Sequence, residues 1–189
     1  MLFRSLGNVA QASAADAIAI GTSVQASQQG AIAIAIGGGT TVASTNQDTT
    51  ASKATGTNAI AIGTSAVASN GDAIAMGTGS SATGSSSISI GNGTLTNNTG
   101  GGSNSGQTAV GQSAQALAQD ATAVGLQSVA KGVNSLAIGN QLTVSGSQAI
   151  GIEVTGVGGT ISGSNAVVDR KSTRLNSSHS QQSRMPSSA

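Results

Sequence analysis

The sequence predicts an all-β chain wound as a parallel β-solenoid. Three observations carry this: a short phrase returning every 14 residues, alternation of large and small residues within it, and a near absence of bulky side chains. The phrase is AIAIG at 17–21 and 59–63, AIAMG at 73–77, SISIG at 87–91, ATAVG at 121–125 and SLAIG at 135–139. Intervals of 14 separate Gly7 from Gly21, Gly63 from Gly77, Gly77 from Gly91, Gly111 from Gly125, and Gly125 from Gly139. A period that short is one coil of a stack.

Each coil reads as strand, corner, strand, corner. In Asp72–Gly77 every second residue is large and apolar, the period of an extended strand, and Ile and Val favour that state. The glycine that follows suits a corner needing positive φ. A weaker alternation marks the second strand at Val24 and Ala26, Ala66 and Ala68, Ser80 and Ala82, Ala114 and Ala116, and Ser128 and Ala130. With coils about 4.8 Å apart, roughly ten coils from Gly7 to Gly151 give a rod on the order of 50 Å long.

The expected interior is one layer of large residues: Ile18, Ile20, Ile60, Ile62, Ile74, Met76, Ile88, Ile90, Val110, Val124, Leu136 and Ile138. Gly21, Gly63, Gly77, Gly91, Gly111, Gly125 and Gly139 are the expected corner glycines. On this reading Ala17 and Ala19 face outward as a smooth apolar strip, and a homo-oligomer would cover it. The chain has one aromatic residue, Phe3, and no Cys, Trp or Tyr, so neither a bulky core nor disulfides are available. Burial per coil is modest against the entropy of ordering it.

The rhythm breaks in three places. Gly21 to Gly37 is 16 residues, consistent with a two-residue bulge around 31–36. Gly37 to Gly63 is 26, and 38–57 reads as an irregular coil or loop that keeps a Ser52-x-Ala54 echo. Gly91 to Gly111 is 20, placing an insertion in 92–106 whose polar, glycine-rich part is Asn97–Gly106. Residues 1–151 thus form the repeat region, and 152–168 are a last coil or an exit from it.

Material for catalysis is scarce. The only His is His179, and the acids before residue 169 are the scattered Asp16, Asp48, Asp72, Asp120 and Glu153, so no acid–base pair is indicated and no enzyme is expected. Asp16, Asp72 and Asp120 share one place in their coils with Asn58 and Asn134. Calcium would need six to eight oxygens there, and turn capping by Asx residues accounts for the pattern. No metal or cofactor is expected. No phosphate loop, aromatic platform or basic stripe appears, which disfavours small-molecule and nucleic-acid partners.

The phrases NAIAIGTSAVAS (58–69), DAIAMGTGSSAT (72–83) and DATAVGLQSVAKG (120–132) resemble head repeats of YadA-like trimeric autotransporter adhesins, over about residues 5–152. That resemblance implies a left-handed β-roll, a homotrimer, and a position on the outer surface of a Gram-negative bacterium. It also implies attachment to host extracellular matrix or cells, with no ligand residue assigned; many weak, equivalent contacts on stacked coils are the mode of binding expected of so repetitive a surface. It further implies a longer protein, with a secretion signal before these residues and a coiled-coil stalk and membrane β-barrel after them. A trimeric phage fibre is the alternative. An ice-surface solenoid would need repeated Thr-x-Thr rows, and only Thr94-Leu95-Thr96 offers one.

Residues 169–189 stand apart. They hold four of the seven basic residues and the only His and Pro, while residues 1–168 have three basic residues against five acids, a net of −2. DRKSTRLNSSH (169–179) and SRMPSSA (183–189) resemble, in order, the translated ends of a short-read sequencing adapter. This tail is expected to be disordered and is set aside from the fold.

Overall fold

Short strands of alternating residues, each closed by a two-residue turn, can only advance by stacking on the strand one period earlier. A computed structural model describes residues 4–7, 10–28, 34–36, 51–97, 105–153 and 158–170, and in these the chain winds between two parallel sheets. The first strands of the coils are β1 (Arg4–Leu6), β3 (Ile18–Ile20), β5 (Ile34–Ile36), β7 (Ile60–Ile62), β9 (Ile74–Met76), β11 (Ile88–Ile90), β13 (Thr108–Val110), β15 (Thr122–Val124), β17 (Leu136–Ile138), β19 (Ile150–Glu153) and β21 (Val167–Arg170). They stack in that order as an 11-stranded sheet. The second strands are β2 (Gln11–Ala12), β4 (Gln25–Ala26), β6 (Lys53–Ala54), β8 (Val67–Ala68), β10 (Ser81–Ala82), β12 (Leu95–Thr96), β14 (Gln115–Ala116), β16 (Val129–Ala130), β18 (Leu142–Val144) and β20 (Gly159–Ile161). These make a ten-stranded sheet, and no helix occurs among the described residues.

Register follows the repeat through its irregularities. Ile18 pairs with Ile34 and Ile34 with Ile60, so β5 stays in phase across the 16-residue interval. Residues 31–33 of the expected bulge lie outside the described residues. Lys53-Ala54 forms β6, paired to β4 and β8, so 51–57 belong to a regular coil; 38–50 lie outside the description. β11 pairs directly with β13, and Ser85 bridges to Ser105, which confines the six extra residues to the stretch around 98–104, outside the description. The expected exit at 152–168 contains β20 and the first half of β21, Val167 and Val168, as a further coil. Asp169 and Arg170 continue β21 opposite Ile152 and Glu153, so these two residues of the tail are ordered strand, contrary to expectation; 171–189 lie outside the description.

The orientation of the alternation is the reverse of the expected one. Ala17, Ala19, Ala59, Ala61, Ala73, Ala75, Ala109, Ala121, Ala123 and Ala137 are buried at 0% exposure. Ile20, Met76, Ile90 and Ile138 are 36–38% exposed, and Ile18, Ile60, Ile62, Ile74, Ile88, Val110, Val124 and Leu136 are half-buried on the same outward side. The cause is coil perimeter. Turns this tight hold the sheets so close that methyl groups from Ala19 and Ala26, or Ala61 and Ala68, fill the gap, leaving no depth for Ile. The same limit shows near the end of the stack. There the ten-stranded sheet sends Leu142, Val144 and Ile161 inward, and the facing residue is Gly151, whose added Cβ would lie 2.5 Å from Ile161 Cδ1 and 2.8 Å from Val144 Cγ2.

The buried core divides in two. One apolar cluster runs from Ala14 to Ala82 and the other from Ala109 to Ile161. Between them the inward positions include Ser87, Ser89, Thr94, Thr96 and Gln107, all buried. Ser89 Oγ donates to Thr94 Oγ1 across the core at 2.8 Å, Thr94 Oγ1 donates to the Gly91 carbonyl at 3.1 Å, and Ser87 Oγ donates to the Gly84 carbonyl at 2.6 Å. Satisfied in this way, the hydroxyls of Ser87, Ser89 and Thr94 stand in for alanine methyls, whereas elsewhere in the core Ser52 Oγ and Ser135 Oγ are buried without a partner among the described residues.

Candidate interaction surface

Two corners build the edges of every coil. At one, the turn is closed by bonds such as Ala66 N–H to the Gly63 carbonyl at 3.1 Å and Ser80 N–H to the Gly77 carbonyl at 3.2 Å. The opening glycine has φ near +124° at Gly77, Gly111 and Gly125. A Cβ on Gly77 would stand 2.5 Å from the Gly91 carbonyl oxygen of the next coil, so conformation and space both demand glycine. Gly21, Gly63, Gly91 and Gly139 also have positive φ. Glu153 takes the equivalent place one coil after Gly139 and is buried at 5% exposure, an exception the phrase does not announce.

At the opposite corner the third turn residue adopts φ between +53° and +61°, and Asp16, Asn58, Asp72, Ser86, Asp120 and Asn134 occupy it. Asn58 Nδ2 donates to Asp72 Oδ1 at 3.0 Å, one coil to the next. Asx side chains tolerate this conformation, which explains the Asp/Asn column by turn chemistry. Among the described residues no three of His, Cys, Asp and Glu gather as a metal-binding group. The other corner has its own column, where Gln141 Nε2 donates to Gln127 Oε1 at 3.0 Å.

The outer faces differ sharply in chemistry. On the 11-stranded sheet, two columns run up the rod. One includes Ile60, Ile74, Ile88, Thr108, Thr122, Leu136 and Ile150; the other includes Ile62, Met76, Ile90, Val110, Val124, Ile138 and Ile152. The ten-stranded sheet presents Gln11, Gln25, Lys53, Val67, Ser81, Leu95, Gln115, Val129, Thr143 and Thr160, with each apolar residue flanked by polar ones. Thr94 and Thr96 point into the coil, so the single Thr-x-Thr row is no surface array. The residues expected as core therefore form the main exposed apolar surface, with Ile150 and Ile152 extending it. Sequence phase alone could have placed those two, since AIGIE at 149–153 keeps the alternation although it lacks the final glycine.

A family model described as YadA head domain repeat (2 copies) matches residues 5–23, 54–80, 68–94, 108–128, 116–141 and 130–150, more than half of the chain. No curated protein and no solved structure matches it. The matched stretches carry the paired strands, the corner glycines and the 14-residue offset described above. The chain belongs to the YadA head domain repeat family.

Proposed function

We propose that this chain is the head of a trimeric autotransporter adhesin, non-catalytic and exposed on the surface of a Gram-negative bacterium, where it attaches the cell to host matrix or host cells. Family membership supports the adhesin class. The observation that carries the reading further is the outward face of the 11-stranded sheet, apolar from Ile60 to Ile152 except at Thr108 and Thr122. With strands of three residues stacked about 4.8 Å apart, that face covers on the order of 500 Å², toward the top of the roughly 300–600 Å² of the largest apolar patch on a typical monomer, a size that often marks an interaction site. Three copies meeting through the Ile, Val and Met columns would bury it. The polar face of the ten-stranded sheet and the two corner columns would then point outward.

Attachment through such a surface works by multiplicity. Equivalent weak contacts on stacked coils of three chains raise avidity without a deep pocket. The decisive experiment is sedimentation equilibrium of the chain together with its binding to immobilised matrix proteins. A trimer whose binding falls gradually as single coils are removed supports the reading. A monomer with its apolar face in water, or complete loss of attachment on removing one coil from a folded protein, overturns it.

A further inference from the structure

Two Asn-Gly pairs lie in regular coils, Asn70-Gly71 and Asn92-Gly93, and the fold places them one step apart in their turns. Asn70 opens its turn, accepting the Ala73 N–H at 3.3 Å, so Gly71 is the second turn residue. Asn92 is itself the second residue of a turn opened by Gly91, and Gly93, at φ +64°, is the third. Third-position amides pair with the coil before them: Gly93 N–H donates to the Thr78 carbonyl at 2.9 Å, as Asp72 N–H does to Thr57 at 2.8 Å. Second-position amides point away from the ladder, and the Gly71 N–H has no acceptor among the described residues. Both asparagine side chains are exposed.

We infer that Asn70 is a site of spontaneous self-modification and that Asn92, with the same following residue, is protected from it. The Gly71 backbone nitrogen attacks Asn70 Cγ. The new N–Cγ bond forms as the Cγ–Nδ2 bond breaks, and ammonia leaves with the proton lost from the Gly71 nitrogen. Solvent water then opens the resulting succinimide at either carbonyl, giving aspartate or isoaspartate. At Asn92 the attacking nitrogen must first break its ladder bond.

Either product loosens this corner. Asn70 Nδ2 donates to the Thr83 carbonyl of the next coil, and a carboxylate has no proton to offer there. Isoaspartate also adds one methylene to the main chain, in a turn stacked so closely that a Cβ on Gly56 would collide with the Asn70 carbonyl. The modification therefore acts as an age-dependent weakening between the coils that begin at Asn58 and Asp72.

The test is peptide mass mapping with an isoaspartate-specific methyl-transfer assay on the full chain, incubated folded at neutral pH and, in parallel, in guanidinium chloride. In the unfolded chain the two sites should convert at similar rates. In the folded chain Asn70 should lead Asn92 by about fivefold or more, the factor that one ladder hydrogen bond provides. Gly71→Ala should suppress conversion at Asn70 while leaving the fold intact, because φ there is not positive and the added Cβ meets only the Thr57 carbonyl oxygen at 3.9 Å. Equal rates in the folded protein, a faster Asn92, or an Asn70 that stays intact while the unfolded chain converts would each overturn the assignment.

Discussion

The outer faces of the two sheets share a coil, a period and a parallel ladder, yet one carries columns of Ile, Val, Leu and Met interrupted only at Thr108 and Thr122 between Ile60 and Ile152, and the other a mixture of Gln, Lys, Ser, Thr and isolated Val or Leu. Their inner faces are alike over most of the stack, mainly alanine and serine, with Val24, Thr94 and Thr96 and then Leu142, Val144 and Ile161 on the ten-stranded side. The contrast teaches that, away from the Leu142–Ile161 end, the interior of this fold hardly distinguishes the sheets. Identity is written on the outside, where one face is largely apolar and the other largely polar; on the function proposed above the first would meet a partner copy and the second would face outward. Stability of the coil and assembly of the head thus rest on different residues, and substitutions should separate them.

The largest effect should come where both faces depend on the same backbone. Gly77→Ala forces a side chain into φ +124° and against the Gly91 carbonyl, a cost of about 3 kcal/mol or more, and thermal unfolding should show both sheets failing together. A Gly77→Ala protein that melts like the parent would break the claim that corners hold the coil. Next in size, Ile90→Asp should leave circular dichroism of the chain unchanged while sedimentation shifts toward monomer; Val67→Asp on the opposite face should not shift it.

Core thickness gives a third test. Gly151→Ala should cost about 1–3 kcal/mol by overpacking, and Ile161→Val, which removes the Cδ1 atom that the new Cβ would strike, should recover much of that loss in the double variant. Additive losses in denaturant titration would refute a shared gap. Ser89→Ala should cost about 1 kcal/mol or less, because Thr94 Oγ1 keeps its bond to the Gly91 carbonyl, and Thr94→Val should cost more, about 1–3 kcal/mol, because it takes away the acceptor of the Ser89 hydroxyl and the Gly91 bond together. The smallest change is expected at Lys53→Ser on the mixed face, within about 0.5 kcal/mol in the same titration.

Much of this architecture was legible in the residues. The 14-residue spacing gave strand positions, sheet register and corner glycines because a solenoid maps sequence period directly onto stacking. The side of the alternation was not legible from period alone, since a two-residue rhythm looks the same with either set inward. Coil perimeter decides it: Ala19 and Ala26 face one another across a gap that Ile20 could not enter. The clue lay in pairing the two strands of a coil, where the places that stay small, such as Ala61 and Ala68, are the ones that must meet. Left-handed φ at Gln127, Gln141 and Gln148 was equally hidden, because Gln lacks the short side chain that makes Asn and Asp at home there, and stacking on neighbouring coils imposes it. The candidate surface was seen in kind, as an apolar strip along the rod, but assigned to alanines instead of to the isoleucines that form it.

The corner geometry carries one more consequence. Because each coil re-enters the next at the same phase, two copies of the phrase can recombine unequally at the level of the gene and still yield a chain whose corners close. The stack then lengthens or shortens in steps of about 4.8 Å per coil, and under the function proposed above the repeat would serve as a ruler for how far a binding surface stands from the cell, with no new fold to invent.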